Sequence, residues 1–310
     1  MTRGRSNGTP EGHSIGTLGW VVQRFALLGI GAWGLLAPGG AAAADPHRIY
    51  DFSIVPQQAA QTTVRQWGPL LEYLSRRSGH RLRLRTYKSI PDFEAALDRG
   101  ADDLAYMNPY HYVVAHARQG YTAFARERGV RLKGILVVRR DGPIRTVDQL
   151  QGRALAFPAP RAFAATLLNL QGLRDMGIRA RPVYVRSHES VYLNVAAGRF
   201  PAGGGVPRTL GTLAPGLRDQ LRILRVTRGY SPHALAAHPR VPAAVVQALQ
   251  TTLLAMGEDA AGRAALRRLA IGAFEAARDA DWNDIRRLTL GDPPMKDNTH
   301  APETTARYHR

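Results

Sequence analysis

Asp103 to Gly120 reads DLAYMNPYHYVVAHARQG. Asp103 to Met107 is short, apolar and bounded, which predicts a buried strand. Asn108 then suits a helix cap and Pro109 the first helical turn, since one accepts an amide hydrogen and the other has none to offer. Tyr110 to Gln119 follows as a helix, and Gly120 stops it. A strand that runs straight into a capped helix is the unit of an α/β fold.

The same unit recurs outward in both directions. Upstream, Ile49 to Val55 predicts a strand, and Thr63 to Ser78 a helix with Val64, Trp67, Leu70, Leu71 and Leu74 at helical spacing before Gly79. Arg81 to Tyr87 alternates like a strand, and Pro91 to Arg99 is a short helix. Downstream, Leu132 to Val138, Ala154 to Phe157, Arg181 to Val185 and Leu221 to Val226 read as strands. Thr146 to Leu150, Arg161 to Met176 and His188 to Ala197 read as helices, and the chain from Pro242 to about Leu290 as wholly helical. Such alternation predicts parallel sheets covered on both faces, in two lobes. Ligands of such sheets bind beyond the carboxyl ends of the strands, so the loops after each strand are the places to look.

The 310 residues suffice for about two domains. There is no cysteine, which excludes disulfides, thiol catalysis and cysteine-ligated metal or iron–sulfur centres. The formal charge is +18, and apart from Lys88, Lys133 and Lys296 the cations are arginines. They are scattered rather than gathered into the stripe that a run of phosphates demands, so no nucleic acid partner is expected. Small anions fit the charge. Residues 1–44 combine an arginine-bearing start, the apolar run Phe25 to Ala37 and the small-residue run Ala41 to Ala44. This is the pattern of a secretory signal peptide cut near Ala44, and it predicts a periplasmic protein. Residues 291–310 read as a loose polar tail.

No nucleophile elbow, phosphate loop or dinucleotide fingerprint follows any strand, so no catalytic residues are expected. The histidines lack metal-ligand spacing, and neither metal nor cofactor is expected. Three loops remain. Asn108 to Tyr112 is either a well-capped helix with aromatic residues in the core or a ligand-facing helix end. Pro158 to Thr166 (PAPRAFAAT) begins a helix with small side chains that let a ligand approach the amides. Ser187-His188 begins another. Gly203-Gly204-Gly205 reads as backbone that something approaches closely, or as a turn.

These stretches carry a resemblance. With Pro56-Gln57-Gln58, Trp67-Gly68-Pro69-Leu70-Leu71, Asp148 to Arg153 and Phe157 to Pro160, they form an ordered set. The chain resembles the substrate-binding proteins of phosphate/phosphite/phosphonate-type ABC importers from about Arg48 to Leu290. The resemblance implies a type II periplasmic-binding-protein fold with two α/β lobes joined by two crossover strands, near Gly134 to Arg139 and Arg222 to Thr227. One lobe would comprise 45–137 with 227–290, and the other 138–226. It implies a non-enzymatic monomer that closes on a small anionic ligand and delivers it to an ABC permease in the inner membrane. The other reading is a sensory module that reports to a membrane histidine kinase.

Ligand contacts implied by the resemblance are Gln57, Gln58, Phe93, Asn108, Tyr110, Tyr112, Ala162, Phe163, Ala164, Ala165, Thr166, Ser187 and His188. Tyr112 matches an aromatic position, His188 a histidine, and Phe93 a frequent tyrosine. Ala162 to Ala165 stand where relatives place serine and threonine, so backbone amides and Thr166 remain as donors. Pro201 stands where binders of aminophosphonates place an acid. A cationic amine would lack a charged hydrogen bond of about 1.5–3 kcal/mol, which implies a ligand without an amine or one outside phosphonate chemistry altogether.

Overall fold

The computed structural model describes residues 47–290. The expected signal peptide and the expected loose tail therefore lie outside the described residues. In chain order the elements are β1 (Ile49–Ile54), α1 (Ala60–Ser78), β2 (Arg81–Arg85), α2 (Ile90–Asp98), β3 (Leu104–Met107), α3 (Pro109–Gln119), β4 (Thr122–Glu127) and β5 (Ile135–Arg139). Next come β6 (Ala154–Phe157), a π-helical turn (Phe163–Leu167) that runs into α4 (Leu168–Asp175), β7 (Arg181–Tyr184), α5 (His188–Ala196), β8 (Gly203–Gly205), α6 (Pro207–Gly211), α7 (Pro215–Arg218) and β9 (Leu221–Val226). The chain ends in β10 (Ala234–Ala237), α8 (Ala243–Leu254), α9 (Ala260–Arg268), β11 (Phe274–Ala276) and α10 (Asn283–Arg286).

Two sheets result. The first has the order β11-β4-β10-β3-β1-β2 and the second β7-β6-β8-β5-β9. Each sheet with its helices is called a lobe below. The sheets are mixed rather than parallel. β1 is parallel to β2 and β3, but β10 lies antiparallel to β3 and β4. β6 is parallel to β7 and β8, but β5 lies antiparallel to β8 and β9.

The chain passes between sheets twice, through residues 128–134 and 227–233. The expected crossovers lie a few residues away, because β5 and β9 belong wholly to the second sheet and pair with each other. The expected lobe boundary at residue 137 accordingly falls inside β5. The two passing segments are laced together. Leu132 and Tyr230 exchange backbone hydrogen bonds of 2.7 and 2.9 Å. The Gly134 amide donates to Thr227 Oγ1, and the Thr227 amide to Gly134 O, both at 2.9 Å.

Helix starts and stops follow local chemistry. Asn108 Oδ1 accepts from the His111 amide at 2.9 Å, and Ser187 Oγ from the Ser190 amide at 3.0 Å. Gly79 and Gly120 end their helices at φ of 76° and 72°, a region closed to most side chains. α1 buries Trp67, Leu70, Leu71 and Leu74 as its spacing predicts, while Val64 is exposed. Four strands, β4, β8, β10 and β11, go beyond those that the sequence predicts. β10 reads ALAA, an alanine-rich run that favours helix, yet all four residues are buried between β3 and β4. β4 and β11 pair with each other, and β11 interrupts the stretch expected to be wholly helical. Burial on both faces and pairing partners far along the chain override local preference here.

Candidate ligand site between the two sheets

The carboxyl ends of β1, β3, β6, β7 and β8 lead to one small chamber. It is lined by Gln57 after β1, Asn108 after β3, Ala162 to Ala165 after β6 and His188 after β7, together with His233 from the second passing segment. Its volume is about 10 Å³, room for about one water molecule. A cavity of about 290 Å³ adjoins it.

The π-helical turn forms one wall. The Thr166 and Leu167 amides both donate to Ala162 O, at 2.7 and 3.4 Å, the widened spacing of a π turn. The first-turn amides of such a helix have no acceptor within it. The side chains there are alanine and phenylalanine, so the main chain is approachable. Asn169 holds the turn from behind: its Nδ2 donates to Ile135 O, Ala164 O and Ala165 O at 2.9–3.2 Å.

The opposite wall supplies neutral polar groups. His233 is buried, and burial, aided by the Arg208 guanidinium, pushes its pKa down to about 3. Burial pushes His188 down to about 4. Both rings are therefore neutral at pH 7. The Gln57 amide Nε2 lies 3.2 Å from His233 Nε2, which makes that ring nitrogen the acceptor. His188 Nδ1 lies 3.4 Å from Thr209 Oγ1. Among the described residues no carboxylate lines the chamber. An anion there would meet dipoles and no like charge.

These histidines make stability depend on pH. In the unfolded chain each titrates near 6.5. Between about pH 6.5 and 4 the unfolded state binds protons that the folded state refuses. Stability is then full above this window and falls with pH through it, by about 1.4 kcal/mol per unit for each histidine. His188→Gln is expected to flatten that slope, read from urea denaturation at pH 7, 6 and 5. An unchanged slope would mean that His188 carries its proton in the folded state.

The structure gathers Gln57, Asn108, Ala162, Phe163, Ala164, Ala165 and His188 at the chamber. The other expected ligand contacts stand elsewhere. Tyr112 is fully buried on the far side of α3, its ring 4.6 Å from Trp282 and its hydroxyl donating to Asp279 Oδ1 at 2.8 Å. Burial and Asp279 push its pKa up. Phe93 is fully buried between the rings of Tyr87 and His111. Thr166 donates its hydroxyl to Ala159 O at 2.8 Å, so it braces the turn. Ser187 is spent on its helix cap. Tyr110 lines a separate small cavity with Glu94 and Arg161. Gln58 lines the larger cavity and reaches Thr212 Oγ1 at 3.1 Å.

Contacts that tie one lobe to the other were absent from the sequence reading. Asn108 Nδ2 donates to Arg161 O at 3.2 Å, and Arg161 pairs with Glu94 at 3.7 Å. Arg208 of α6 forms an ion pair with Glu127 at the end of β4. Arg208 follows a strand end by three residues, so the rule that singled out the other loops could have found it. His233 follows no strand end and begins no helix, and it gave no signal.

Among the described residues no group of histidines, aspartates and glutamates could hold a metal ion, and no helix is long and apolar enough to cross a membrane.

Known structures share this architecture. A binding protein of an ABC phosphonate transporter from Pseudomonas aeruginosa matches with a TM-score of 0.71 at 16% identity, over 77% of this chain and 84% of that one. PhnD1 of Prochlorococcus marinus, solved with methylphosphonate, matches with a TM-score of 0.72 at 14% identity, over 78% and 97%. A Xanthomonas citri protein solved with chloride matches at 0.63 and 20% identity, over 77% and 95%. The fold is that of type II periplasmic binding proteins. A sequence model of the periplasmic substrate-binding proteins of phosphonate ABC transporters matches residues 52–282. That stretch takes in every wall of the chamber and both sheets but for the first three residues of β1, and the chain belongs to this family.

Proposed function

We propose that this chain captures a small oxyanion of the phosphonate, phosphate or phosphite class where the chamber opens into the adjoining cavity, and hands it to an ABC permease of the inner membrane. It does so as a monomer, after export and cleavage near Ala44. No covalent bond is made or broken. The observation that carries this reading is the meeting of the Ala162 to Ala165 turn with Asn108, His188 and His233 at a chamber without carboxylates. Amides at a helix start favour negative charge. Neutral histidines can donate one hydrogen bond each without fixing the total charge of the ligand.

Closure is supported by side-chain contacts between the two lobes. Asn108 with Arg161, Glu94 with Arg161, Gln58 with Thr212 and Glu127 with Arg208 all reach from the first lobe to the second. An anion in the chamber would add to them and shift the balance toward the closed form.

A thermal-shift screen of the protein against oxyanions tests the reading. A true ligand at 100 times its Kd stabilises by about 2.7 kcal/mol. His188→Ala is expected to weaken the best ligand about tenfold, as for one lost hydrogen bond. Tyr112→Phe should leave affinity unchanged, because that hydroxyl faces Asp279. If no oxyanion at millimolar concentration raises the melting temperature, the reading fails.

A further inference from the structure

A headgroup of a few atoms leaves most of this site empty. The 290 Å³ cavity shares Val55, Gln57, Leu132, Val206 and His233 with the chamber, so one molecule can occupy both. Its floor is aromatic. Trp67 lies 4.5 Å from Tyr106, and Tyr106 stacks on His233 at 4.9 Å and 12°. Ile54, Leu132 and Leu269 add apolar wall. Concave, largely apolar space beside a few fixed polar groups is the form of a site for an organic ligand.

The charges around this cavity select among organic groups. Among the described residues Glu127 is its only carboxylate, and Arg208 neutralises it. A cationic arm would find no free acid. Lys133 and Arg268 also line the cavity, and neither has an ion pair among the described residues.

We infer that the ligand is an organic phosphonate or phosphate monoester with a ring-sized arm that carries no positive charge: the headgroup sits on the turn at Ala162 to Ala165, and the ring lies against Trp67 and Tyr106. This rests on the oxyanion reading and adds the arm. Burying a ring in a preformed apolar cavity favours it over a methyl group by more than one added methylene would, and a methylene alone gives about tenfold or more.

Calorimetric titration of the full chain with methylphosphonate, phenylphosphonate and 2-aminoethylphosphonate tests the arm. Phenylphosphonate should bind at least about tenfold more tightly than methylphosphonate, and 2-aminoethylphosphonate no more tightly. Gln66 is half-buried on α1 and lines the cavity but not the chamber. Gln66→Trp should remove the phenyl advantage, with methylphosphonate as the internal control. If phenylphosphonate binds no more tightly than methylphosphonate, the arm is wrong and the oxyanion reading stands. A phenyl advantage that survives Gln66→Trp in a protein of unchanged circular dichroism also overturns it. If none of the three binds, the oxyanion reading falls and the arm with it.

Discussion

Gly204→Ala is expected to destabilise the protein by about 3 kcal/mol or more, the upper end of what over-packing costs. Gly204 is the middle residue of β8 and is buried. A Cβ built there stands 2.0 Å from Ala165 O and 2.5 Å from the Phe157 ring. The first neighbour is main chain and cannot swing aside. It is also held in place, because Ala165 O accepts from Asn169 Nδ2 at 2.9 Å. Gly134 meets the same turn from β5's side, with Ala164 O 2.0 Å from its would-be Cβ. The turn is thus wedged against two glycines, and one methyl group would drive it toward the chamber. Ligand binding should be lost together with stability. Gly211, at the end of α6, has nothing within 4 Å of its would-be Cβ, so Gly211→Ala should change stability by less than about 1 kcal/mol. Urea denaturation at constant m separates the two. Equal midpoints for both variants would mean that β8 has room that the geometry denies.

Ala164→Asp is expected to weaken oxyanion binding at least 100-fold, which corresponds to about 2.7 kcal/mol. Ala164 is buried and lines the chamber from the turn. A carboxylate there would take the amides meant for the ligand and oppose the ligand's charge at short range. Among the described residues no lysine or arginine lines the chamber itself, His188 and His233 are neutral, and Arg208 is committed to Glu127. Ala164→Ser tests the other direction. It adds a hydroxyl donor beside the amides of the turn, and should bind as tightly as the parent or more tightly. Titration calorimetry with the best oxyanion reads both. If Ala164→Asp binds like the parent, the anion sits elsewhere.

Much of the site was legible because local chemistry fixed it. Asn108 and Ser187 cap their helices through bonds that span three residues, so strand, cap and helix could be read in order. The glycine run at 203–205 was read as backbone closely approached, or as a turn, and it is the former. The direction in which α3 faces was not legible. Tyr110 and Tyr112 lie two positions apart on one helix, about 200° around its axis. Which of them faces the cleft depends on Asp279 and Trp282, which pack against Tyr112 from far along the chain. No spacing within 103–120 carries that information.

The sequence by itself determined the alternation of strands and helices, the caps, and a turn of small residues after β6, since each depends on bonds among near neighbours. Only the tertiary structure decided that Ala162 to Ala165, Asn108, His188 and His233 meet, that both histidines stay neutral, and that Arg208 closes on Glu127. Those outcomes arise from burial and from distances between residues brought together by two passages of the chain. Burial and distance are properties of the packed whole, and no window of sequence contains them.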